Sequence, residues 1–298
     1  MKIGLIGLGK MGFNLALNVQ RNRHDVIAFD VNVELIKKGN EQNISTANSL
    51  DELISKLETP RVVWLMIPAG APIDNTLLQL KPLLNAGDIV IDGGNSFYKD
   101  SMRRAEELKS QKIFYLDCGT SGGVEGALNG ACTMVGGDTE AFGLCEDLFK
   151  DISVRDGYYH CGPSGSGHFV KMIHNGIEYG MMQAIAEGFE VLHKSDFNLD
   201  LKKVARVWNH GSVVRSWLME LTENALSKDP KLESIKGVMH SSGEGKWTLD
   251  AALEKQIATP VIALSLLMRY RSQEDDTFSG KIVAALRNEF GGHAVEKK

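Results

Sequence analysis

Residues 2–12 read KIGLIGLGKMG, a short apolar run followed by three glycines in the spacing G-x-G-x-x-G. The run Lys2–Ile6 predicts a strand, and Phe13–Arg21 predicts a helix directly after the glycines. A second predicted strand, Asp25–Phe29, ends at Asp30. In this setting the glycines permit a tight turn and let a pyrophosphate approach the amino end of the helix. The stretch therefore predicts a dinucleotide-binding βαβ unit. A glycine-rich turn without a ligand is the alternative.

Asp30 decides which dinucleotide is expected. A carboxylate at this position accepts hydrogen bonds from both ribose hydroxyls and repels a 2′-phosphate. No Arg follows in Val31-Asn32-Val33, so NAD is expected rather than NADP. Lys37 and Lys38, a helical turn or more later, weaken this preference slightly.

The alternation of strands and helices continues beyond this unit. Further strands are predicted at Arg61–Ile67, Asp88–Ile91, Lys112–Asp117, Ala131–Gly136 and Val154–Tyr159, with helices at Ile73–Leu80, Phe97–Ser110 and Thr139–Lys150. Such alternation predicts an α/β, Rossmann-type domain with a doubly wound, mainly parallel sheet. Ligands bind at the carboxyl ends of such strands, which here carry Pro68, Asn95 and the Ser121-Gly122-Gly123 segment. We expect these segments beside the nicotinamide, although Ser-Gly-Gly alone is also compatible with a simple turn.

The segment His168–Lys194 predicts one long helix that is apolar on nearly every side. Lys171, His174, Asn175 and Glu178 follow at i, i+3, i+4 and i+7, so they share one helical face. Burial disfavours the charged form of both Lys171 and Glu178, which makes them candidates for a base and an acid. A satisfied buried ion pair is the structural alternative.

A glycine-rich break at residues 161–167 separates this helix from the preceding strands. We therefore predict a dinucleotide-binding Rossmann domain at residues 1–163 and an all-helical domain at residues 164–298. Helices of the second domain are predicted at Leu201–Trp208, Val213–Leu226, Leu249–Ile257, Pro260–Arg271 and Gly280–Phe290. The segment SSGEGKW (residues 241–247) is predicted to be a glycine-rich loop before a helix. The alternative is a linker without a function, held in place by its buried Trp.

Composition limits the possible partners. The 298 residues are 43% hydrophobic and carry a net charge of −5 with scattered cations, which argues against nucleic-acid or membrane partners. No apolar run has the length of a membrane span. The four cysteines form no C-x-x-C pair, so neither a zinc site nor a disulfide framework is expected, and a reducing cytoplasm is the expected compartment.

Several motifs resemble those of one enzyme family, the 6-phosphogluconate dehydrogenases, particularly their short bacterial form within the β-hydroxyacid dehydrogenases. The motifs are GLGKMG, MIPAG, DGGNS, GTSGG, HFVKMIHNGIEY, SSGEGKW and FGGH, and the resemblance runs from Gly4 to His293. The resemblance implies oxidative decarboxylation of 6-phosphogluconate to ribulose 5-phosphate and CO₂, with hydride transfer to NAD. No acidic cluster has metal-ligand spacing, and Lys171 can supply positive charge, so no metal is expected.

The resemblance also implies residue roles. Lys171 is expected to be the general base and Glu178 the general acid, with Asn175 and His174 beside them. The expected cofactor-binding residues are Gly7, Gly9, Lys10, Met11, Gly12, Asp30, Met66 and Asn95. The expected substrate-binding residues are Asn95, Ser121, Gly122, Gly123, His174, Asn175, Tyr179, Arg271, Arg287 and His293. Arg287 and His293 are expected to enter the site of a partner subunit in a homo-oligomer.

Two departures and two alternative functions accompany this interpretation. Longer family members carry a Lys and a Thr at the phosphate where this chain has Ser242 and Glu244, so Lys246 is a candidate replacement cation. The chain is also much shorter at its C-terminal end.

One alternative function is a dehydrogenase of another β-hydroxyacid, for which a pair of phosphate-binding arginines would be superfluous. The other is a non-catalytic dinucleotide sensor, which has no use for an aligned base and acid.

Overall fold

The computed structural model describes residues 1–297, which form two compact units, Met1–Asn175 and Gly176 to the C-terminus. The strands of the first unit are β1 (Lys2–Ile6), β2 (Asp25–Phe29), β3 (Ser45–Thr46), β4 (Val62–Leu65), β5 (Ile89–Asp92), β6 (Phe114–Ser121), β7 (Ala131–Gly136) and β8 (Ser153–Gly162). Its helices are α1 (Lys10–Arg21), α2 (Val33–Glu41), α3 (Leu50–Ser55), α4 (Ala71–Leu80), α5 (Tyr98–Lys109), α6 (Gly123–Asn129) and α7 (Thr139–Ile152). The long helix α8 (Ser166–His193) begins in this unit.

The strands form one sheet in the order β3-β2-β1-β4-β5-β6-β7-β8. Neighbouring strands are parallel except β6 and β7, which are antiparallel. Alternate residues of the buried strands enter different clusters, so Trp64 packs with α1 and α7 whereas Val63 packs with α3, α4 and α5. The predicted doubly wound, mainly parallel α/β domain is confirmed, and its parallel strands place their carboxyl ends at one edge.

Two segments differ from their predictions in the first unit. The strand predicted to end at Asp117 continues as β6 to Ser121, because residues 117–121 pair with β7. The Ser121-Gly122-Gly123 segment is therefore a strand end followed directly by α6 rather than an extended loop. Helices α2, α3 and α6 and the short strand β3 were not predicted.

The second unit contains the rest of α8 followed by α9 (Leu201–Asn209), α10 (Trp217–Lys228), α11 (Gly243–Glu254), α12 (Pro260–Arg271) and α13 (Phe278–Gly291). The predicted helical character after β8 is confirmed. The predicted loop at 241–247 was wrong in its second half, because α11 begins at Gly243. The predicted start of α10 at Val213 was also wrong: the helix begins at Trp217, where Ser216 accepts a hydrogen bond from the Met219 amide.

The domain boundary predicted at residues 163–164 stays a prediction. The compact units divide twelve residues later, inside α8, because the first turns of that helix pack on β6 and β7. Among residues 1–297, no helix combines the length and apolar character needed to cross a membrane.

Candidate active site

Each glycine of the turn between β1 and α1 has a separate physical reason. Gly7 has a φ of +104°, and a Cβ there would lie 2.4 Å from the Met66 carbonyl oxygen. A Cβ at Gly12 would lie 2.0 Å from the Gly7 carbonyl oxygen. A Cβ at Gly9 would meet no atom within 4 Å, so this glycine faces open space. The turn is therefore closed on the protein side and open above Gly9, as the approach of a pyrophosphate requires.

The amino end of α1 is suited to an anion. Gly9 is the N-cap residue, and no side chain caps the helix. The predicted contacts Lys10 and Met11 are the first two helical residues, so their backbone amides belong to the turn that has no intrahelical acceptor. Uncapped amides at a helix N-terminus attract phosphate. The residues present therefore fit the pyrophosphate of a dinucleotide.

Asp30 is fixed at the end of β2 by two backbone amides. Its Oδ2 accepts a hydrogen bond from Leu8 N at 2.6 Å, and its Oδ1 accepts one from Asn32 N at 2.8 Å. Each carboxylate oxygen keeps a further lone pair, so the group can still accept two ribose hydroxyls. The two lysines that follow are engaged elsewhere: Lys37 pairs with Glu34 at 2.8 Å, and Lys38 lies 4.5 Å from the Phe13 ring centroid.

The segments after β4 and β5 contact each other. A Cβ at Gly93 would lie 2.7 Å from Met66 Sδ, so Met66 packs directly on the first glycine of DGGNS. Asp92 is fully buried; it accepts hydrogen bonds from Gly94 N at 3.1 Å and from Ser96 Oγ at 2.7 Å. Asn95, between those two donors, is exposed. The buried carboxylate thus organises the loop that presents Asn95.

Four polar side chains of the first unit form one hydrogen-bonded chain at the start of α8. Lys171 Nζ donates to Asn175 Oδ1 at 2.8 Å, and His174 Nδ1 lies 2.9 Å from the same oxygen. His174 Nε2 lies 3.1 Å from Ser121 Oγ at the end of β6. Lys171 is only 7% exposed and Asn175 only 9%. The structure therefore brings Lys171, His174, Asn175 and Ser121 together, and their roles in catalysis and substrate binding stay predictions.

This chain of contacts fixes the orientation of each group. A lysine ammonium only donates hydrogen bonds, so the atom that it contacts on Asn175 must be the amide oxygen. His174 Nδ1 must then carry a proton in order to bond that oxygen. In neutral His174 the Nε2 atom is consequently an acceptor, and Ser121 donates its hydroxyl proton to it.

Asp117 anchors the helix that carries Lys171. Its Oδ1 accepts from Gly165 N at 2.6 Å and its Oδ2 from His168 N at 2.8 Å, while the carboxylate itself is fully buried. A carboxylate at a helix N-terminus is favoured by the helix dipole. Gly119 lets α8 pack closely on β6, because a Cβ at Gly119 would lie 2.3 Å from Lys171 Cβ. The Asp-Cys-Gly run at 117–119, directly before Thr120-Ser121, was the available sequence signal, and we did not assign Asp117 a role.

Other predicted residues lie in the second unit. Glu178, half-buried, follows Lys171 by seven residues on α8. The Tyr179 hydroxyl is 3.1 Å from Ser242 Oγ, and it accepts a hydrogen bond from Ser242 N at 3.3 Å. The Arg269 guanidinium carbon stacks 3.6 Å from the Tyr179 ring centroid, a contact that was not predicted. Arg269 Nη1 donates to the His240 carbonyl oxygen at 2.9 Å, and stacking on the aromatic ring keeps the other edge N–H groups of the guanidinium in reach of an anion.

The remaining predicted substrate-binding residues are two arginines and a histidine near the C-terminus. Arg271 is exposed and donates to the Glu274 carbonyl oxygen. Arg287 is exposed on α13, and His293 is exposed just beyond that helix. Lys246 pairs with Asp250 at 2.6 Å, and Glu244 is buried. The substrate-binding roles of Arg271, Arg287 and His293 stay predictions.

Comparison with known proteins decides the family. The family model described as the NAD binding domain of 6-phosphogluconate dehydrogenase matches residues 2–162. The model of the 6-phosphogluconate dehydrogenase C-terminal domain matches residues 167–282. The chain belongs to the 6-phosphogluconate dehydrogenase family.

Members of this 6-phosphogluconate dehydrogenase family resemble the chain over all of its length. It is 60% identical over 298 residues to the Bacillus subtilis protein YqeC, provisionally named a 6-phosphogluconate dehydrogenase, covering 100% of both chains. It is 42% identical over 300 residues to the NAD(+)-dependent, decarboxylating enzyme of Haloferax volcanii, covering 100% of this chain and 99% of that one. Among solved structures, Plasmodium falciparum 6-phosphogluconate dehydrogenase, described with NADP+ and with 6-phosphogluconate, matches with a TM-score of 0.85 and 33% identity. That match covers 100% of this chain and 66% of the Plasmodium chain.

Among residues 1–297, no group of three or more His, Cys, Asp or Glu side chains is placed to hold a metal ion. The prediction that the reaction needs no metal stays a prediction.

Proposed function

We propose that this chain oxidises and decarboxylates 6-phosphogluconate to ribulose 5-phosphate and CO₂, with NAD as the preferred hydride acceptor. The observation that carries this proposal is the buried Lys171–Asn175–His174–Ser121 chain of hydrogen bonds in a 6-phosphogluconate dehydrogenase. It supplies an oriented amine beside polar groups that can hold a hydroxylated acid.

Lys171 is proposed to act as the base in the oxidation. As a neutral amine Lys171 can donate an N–H to Asn175 and still use its lone pair to accept the proton of the 3-hydroxyl of the sugar acid. When bound, the oxidised nicotinamide supplies the acceptor for a hydride from C3. Lys171 takes the hydroxyl proton as that hydride leaves, so C3 becomes a ketone.

The same protonated lysine serves the decarboxylation. The C1 carboxylate of the β-keto acid leaves as CO₂, and its bonding electron pair moves into the new enediol double bond. Lys171 returns its proton to the oxygen on C3, which removes the negative charge that would otherwise develop there. His174 and Asn175 keep the amine in place during both proton transfers, since they are hydrogen-bonded through one amide oxygen.

Glu178 is proposed to protonate the carbon that lost CO₂, which becomes C1 of ribulose 5-phosphate. Lys171 then removes the enediol proton on the neighbouring oxygen, so the product ketone forms and the protons balance. Glu178 follows Lys171 by two helical turns on α8, about 10 Å of rise, which suits an acid acting on a different carbon of the same substrate.

Removing the acid should separate the two halves of the reaction. In Glu178→Gln the amide cannot donate the proton, so steady-state turnover should fall by about 10²–10⁴-fold while a first burst of NADH persists. Stopped-flow absorbance of NADH, compared with ribulose 5-phosphate formed, measures both. Glu187→Gln, an exposed glutamate on the same helix bonded to Gln183, is the matched control. Equal losses in burst and steady state would assign Glu178 to another step.

The preference for NAD is proposed from Asp30. Its fixed carboxylate repels a 2′-phosphate, Val31 is 91% exposed, and Lys37 and Lys38 are occupied by Glu34 and Phe13. The named relative from Haloferax volcanii is NAD(+)-dependent, whereas the Plasmodium protein binds NADP+.

The double variant Asp30→Asn/Val31→Arg should move the preference toward NADP. It removes the repulsive charge and adds a guanidinium where the exposed Val31 now lies. The ratio of kcat/KM for NAD to that for NADP should fall by about tenfold or more, since each lost or gained charged contact is worth about a factor of ten. Val33→Arg, at the first residue of α2, controls for an added cation alone. A wild-type protein that prefers NADP would contradict the role of Asp30.

One assay tests the function as a whole. Purified protein is mixed with 6-phosphogluconate, reduced cofactor is followed with NAD and NADP separately, and CO₂ release is measured. We expect equal molar amounts of NADH and CO₂. NADH formed only from a non-phosphorylated sugar acid or 3-hydroxyisobutyrate would indicate another β-hydroxyacid dehydrogenase. Dinucleotide binding without oxidation of any of these acids would indicate a sensor.

We also propose that the chain is a homo-oligomer whose sites take Arg287 and His293 from a partner subunit. Helix α13 has no buried residue, although Phe278, Ile282, Leu286 and Phe290 form a stripe at i, i+4, i+8 and i+12. An apolar stripe of this length on one helix is typical of a surface that is covered by another chain.

A further inference from the structure

Arg104, on α5, is a fully buried cation outside the proposed catalytic group. Its Nε donates to Asp74 Oδ1 at 2.8 Å, and its Nη2 donates to the Gly70 carbonyl oxygen at 3.1 Å. Its Nη1 donates to Ser96 Oγ at 3.3 Å and lies 3.5 Å from Asp92 Oδ2. Burying a guanidinium is costly unless all its donors are satisfied. Each of the three nitrogen atoms of Arg104 has at least one acceptor, and these acceptors lie on two separate loops.

The two loops are the ones that follow β4 and β5. On one side, Gly70 has a φ of +84° and is the N-cap of α4, and Asp74 lies in the first turn of that helix. On the other side, Asp92 and Ser96 bracket the exposed Asn95. The rigid fork of an arginine can hold both sides at once, which the single ammonium of a lysine cannot do.

A phenol completes the network beneath Asp92. Tyr115 Oη donates to Asp92 Oδ2 at 2.6 Å, and burial, followed by the neighbouring Asp92, raises the pKa of Tyr115 well above its usual range. The phenol therefore stays protonated and remains a donor. On the other side, the hydrogen bond from Arg104 lowers the pKa of Asp74. Arg104 thus keeps the Asp74 carboxylate ionised, and Asp92 accepts hydrogen bonds from both Tyr115 and Arg104.

We infer that Arg104 is a positioning residue that locks the loops after β4 and β5 into one rigid surface for the nicotinamide end of the dinucleotide. The inference rests on the proposed dinucleotide binding, and it assigns Arg104 no contact with substrate or cofactor. Its consequence is selective: Asp30 is held by the amides of Leu8 and Asn32, so this carboxylate and the pyrophosphate turn at Gly7–Gly12 should hold the ADP-ribose half without Arg104. Loss of the contacts that Arg104 makes to the two loops should weaken binding of the nicotinamide half of the dinucleotide alone.

The test compares two ligands, NADH and ADP-ribose, which lacks the nicotinamide. In Arg104→Lys the charge persists but the fork is lost, so Kd for NADH should rise by about 10–100-fold while Kd for ADP-ribose stays within about twofold. Titration calorimetry measures both constants. Backbone amide hydrogen exchange should become faster in residues 68–73 and 93–97, and a melting curve shows that the variant is folded.

Two further variants keep the test decisive if Arg104→Lys fails to fold. Asp74→Ala, at a half-exposed position, removes the contact of Arg104 to α4 together with the surface contact of Arg103, and should show the same selective loss in smaller degree. Arg103→Gln removes the neighbouring arginine, which also bonds Asp74 but is exposed, and should leave both constants unchanged. Together they separate the buried contact from the surface charge.

The outcomes distinguish this inference from the proposed function. Equal loss of NADH and ADP-ribose binding, or unchanged NADH binding in both Arg104→Lys and Asp74→Ala, would overturn the positioning role. Wild-type protein that binds NADH but does not oxidise 6-phosphogluconate would overturn the proposed reaction and leave the ligand comparison valid.

Discussion

Replacing Lys171 with Met is expected to lower kcat for 6-phosphogluconate oxidation by about 10²–10⁴-fold, the usual contribution of a general base. A Met side chain is similar to that of Lys in length and volume and keeps the contact with Gly119, so the packing of α8 on β6 should persist. Asn175 Oδ1 still accepts from His174 Nδ1, so no buried acceptor is left without a donor. The loss should therefore report on proton transfer rather than on folding.

Three measurements isolate that effect. NADH binding followed by fluorescence should match wild type, the melting temperature should change little, and steady-state NADH production should fall. Lys194→Met, an exposed lysine paired with Glu190 just after α8, is the matched control and should retain wild-type rates. A Lys171→Met protein with near wild-type kcat would remove Lys171 from the reaction.

Most of the dinucleotide-binding unit could be predicted because its signals are local. The strand β2 and the end of β1 matched their predicted bounds, since each is a short apolar run bounded by Gly or a charged residue. The turn at Gly7 follows from residue type alone, because only glycine combines its positive φ with the close approach of Met66. The stripe of Lys171, His174 and Asn175 follows from helical spacing.

The wrong predictions of secondary structure lie where pairing or packing with distant segments decides the local structure. Gly119, Thr120 and Ser121 look like a turn in sequence, but pairing with β7 extends them into a strand. Gly243 looks like part of a loop, yet α11 begins there. Local propensity is a weak predictor when tertiary contacts compensate for glycine.

The buried polar networks could not be predicted for a different reason. Arg104 is one of two adjacent arginines in a charged helix, and sequence offers no way to tell that it is fully buried while Arg103 is exposed. Its partners Asp74 and Asp92 are 30 and 12 residues away. Likewise, Asp117 meets the amides of α8 across 48 and 51 residues. Such contacts carry no periodic signal, because they depend on where the sheet places each loop.

The C-terminal region of the described chain provides the basis for a second large effect. On α13, Phe278 is 76% exposed and Phe290 is 77% exposed. Gly292 has a φ of +62° and ends the helix, and Asn288 Nδ2 donates to the His293 carbonyl oxygen at 2.8 Å. This closed turn presents His293 and the exposed Arg287 in a defined arrangement. A guanidinium and an imidazole held so are suited to the phosphate and carboxylate of a sugar acid in a neighbouring subunit.

Two inactive proteins should then restore each other. Lys171→Met lacks the proposed base, and Arg287→Ala/His293→Ala lacks the residues proposed to enter the partner's site, so each variant alone should have little activity. In a randomly mixed dimer, half of the molecules are hybrids, and one site of each hybrid combines an intact Lys171 with an intact partner tail. About a quarter of all sites should therefore work, provided that the subunits pair symmetrically.

Co-expression of the two chains with different tags, followed by purification through both tags, isolates the hybrid. In that purified hybrid about half of the sites should be active, because every molecule now contains one complete site. Each variant expressed alone and purified through its own tag provides the baseline, and mass determination in solution confirms that the hybrid is an oligomer. A verified hybrid without recovered activity would place Arg287 and His293 in the site of their own subunit, or outside any site. A monomer in solution would remove the shared site altogether, because no partner subunit would then supply Arg287 and His293.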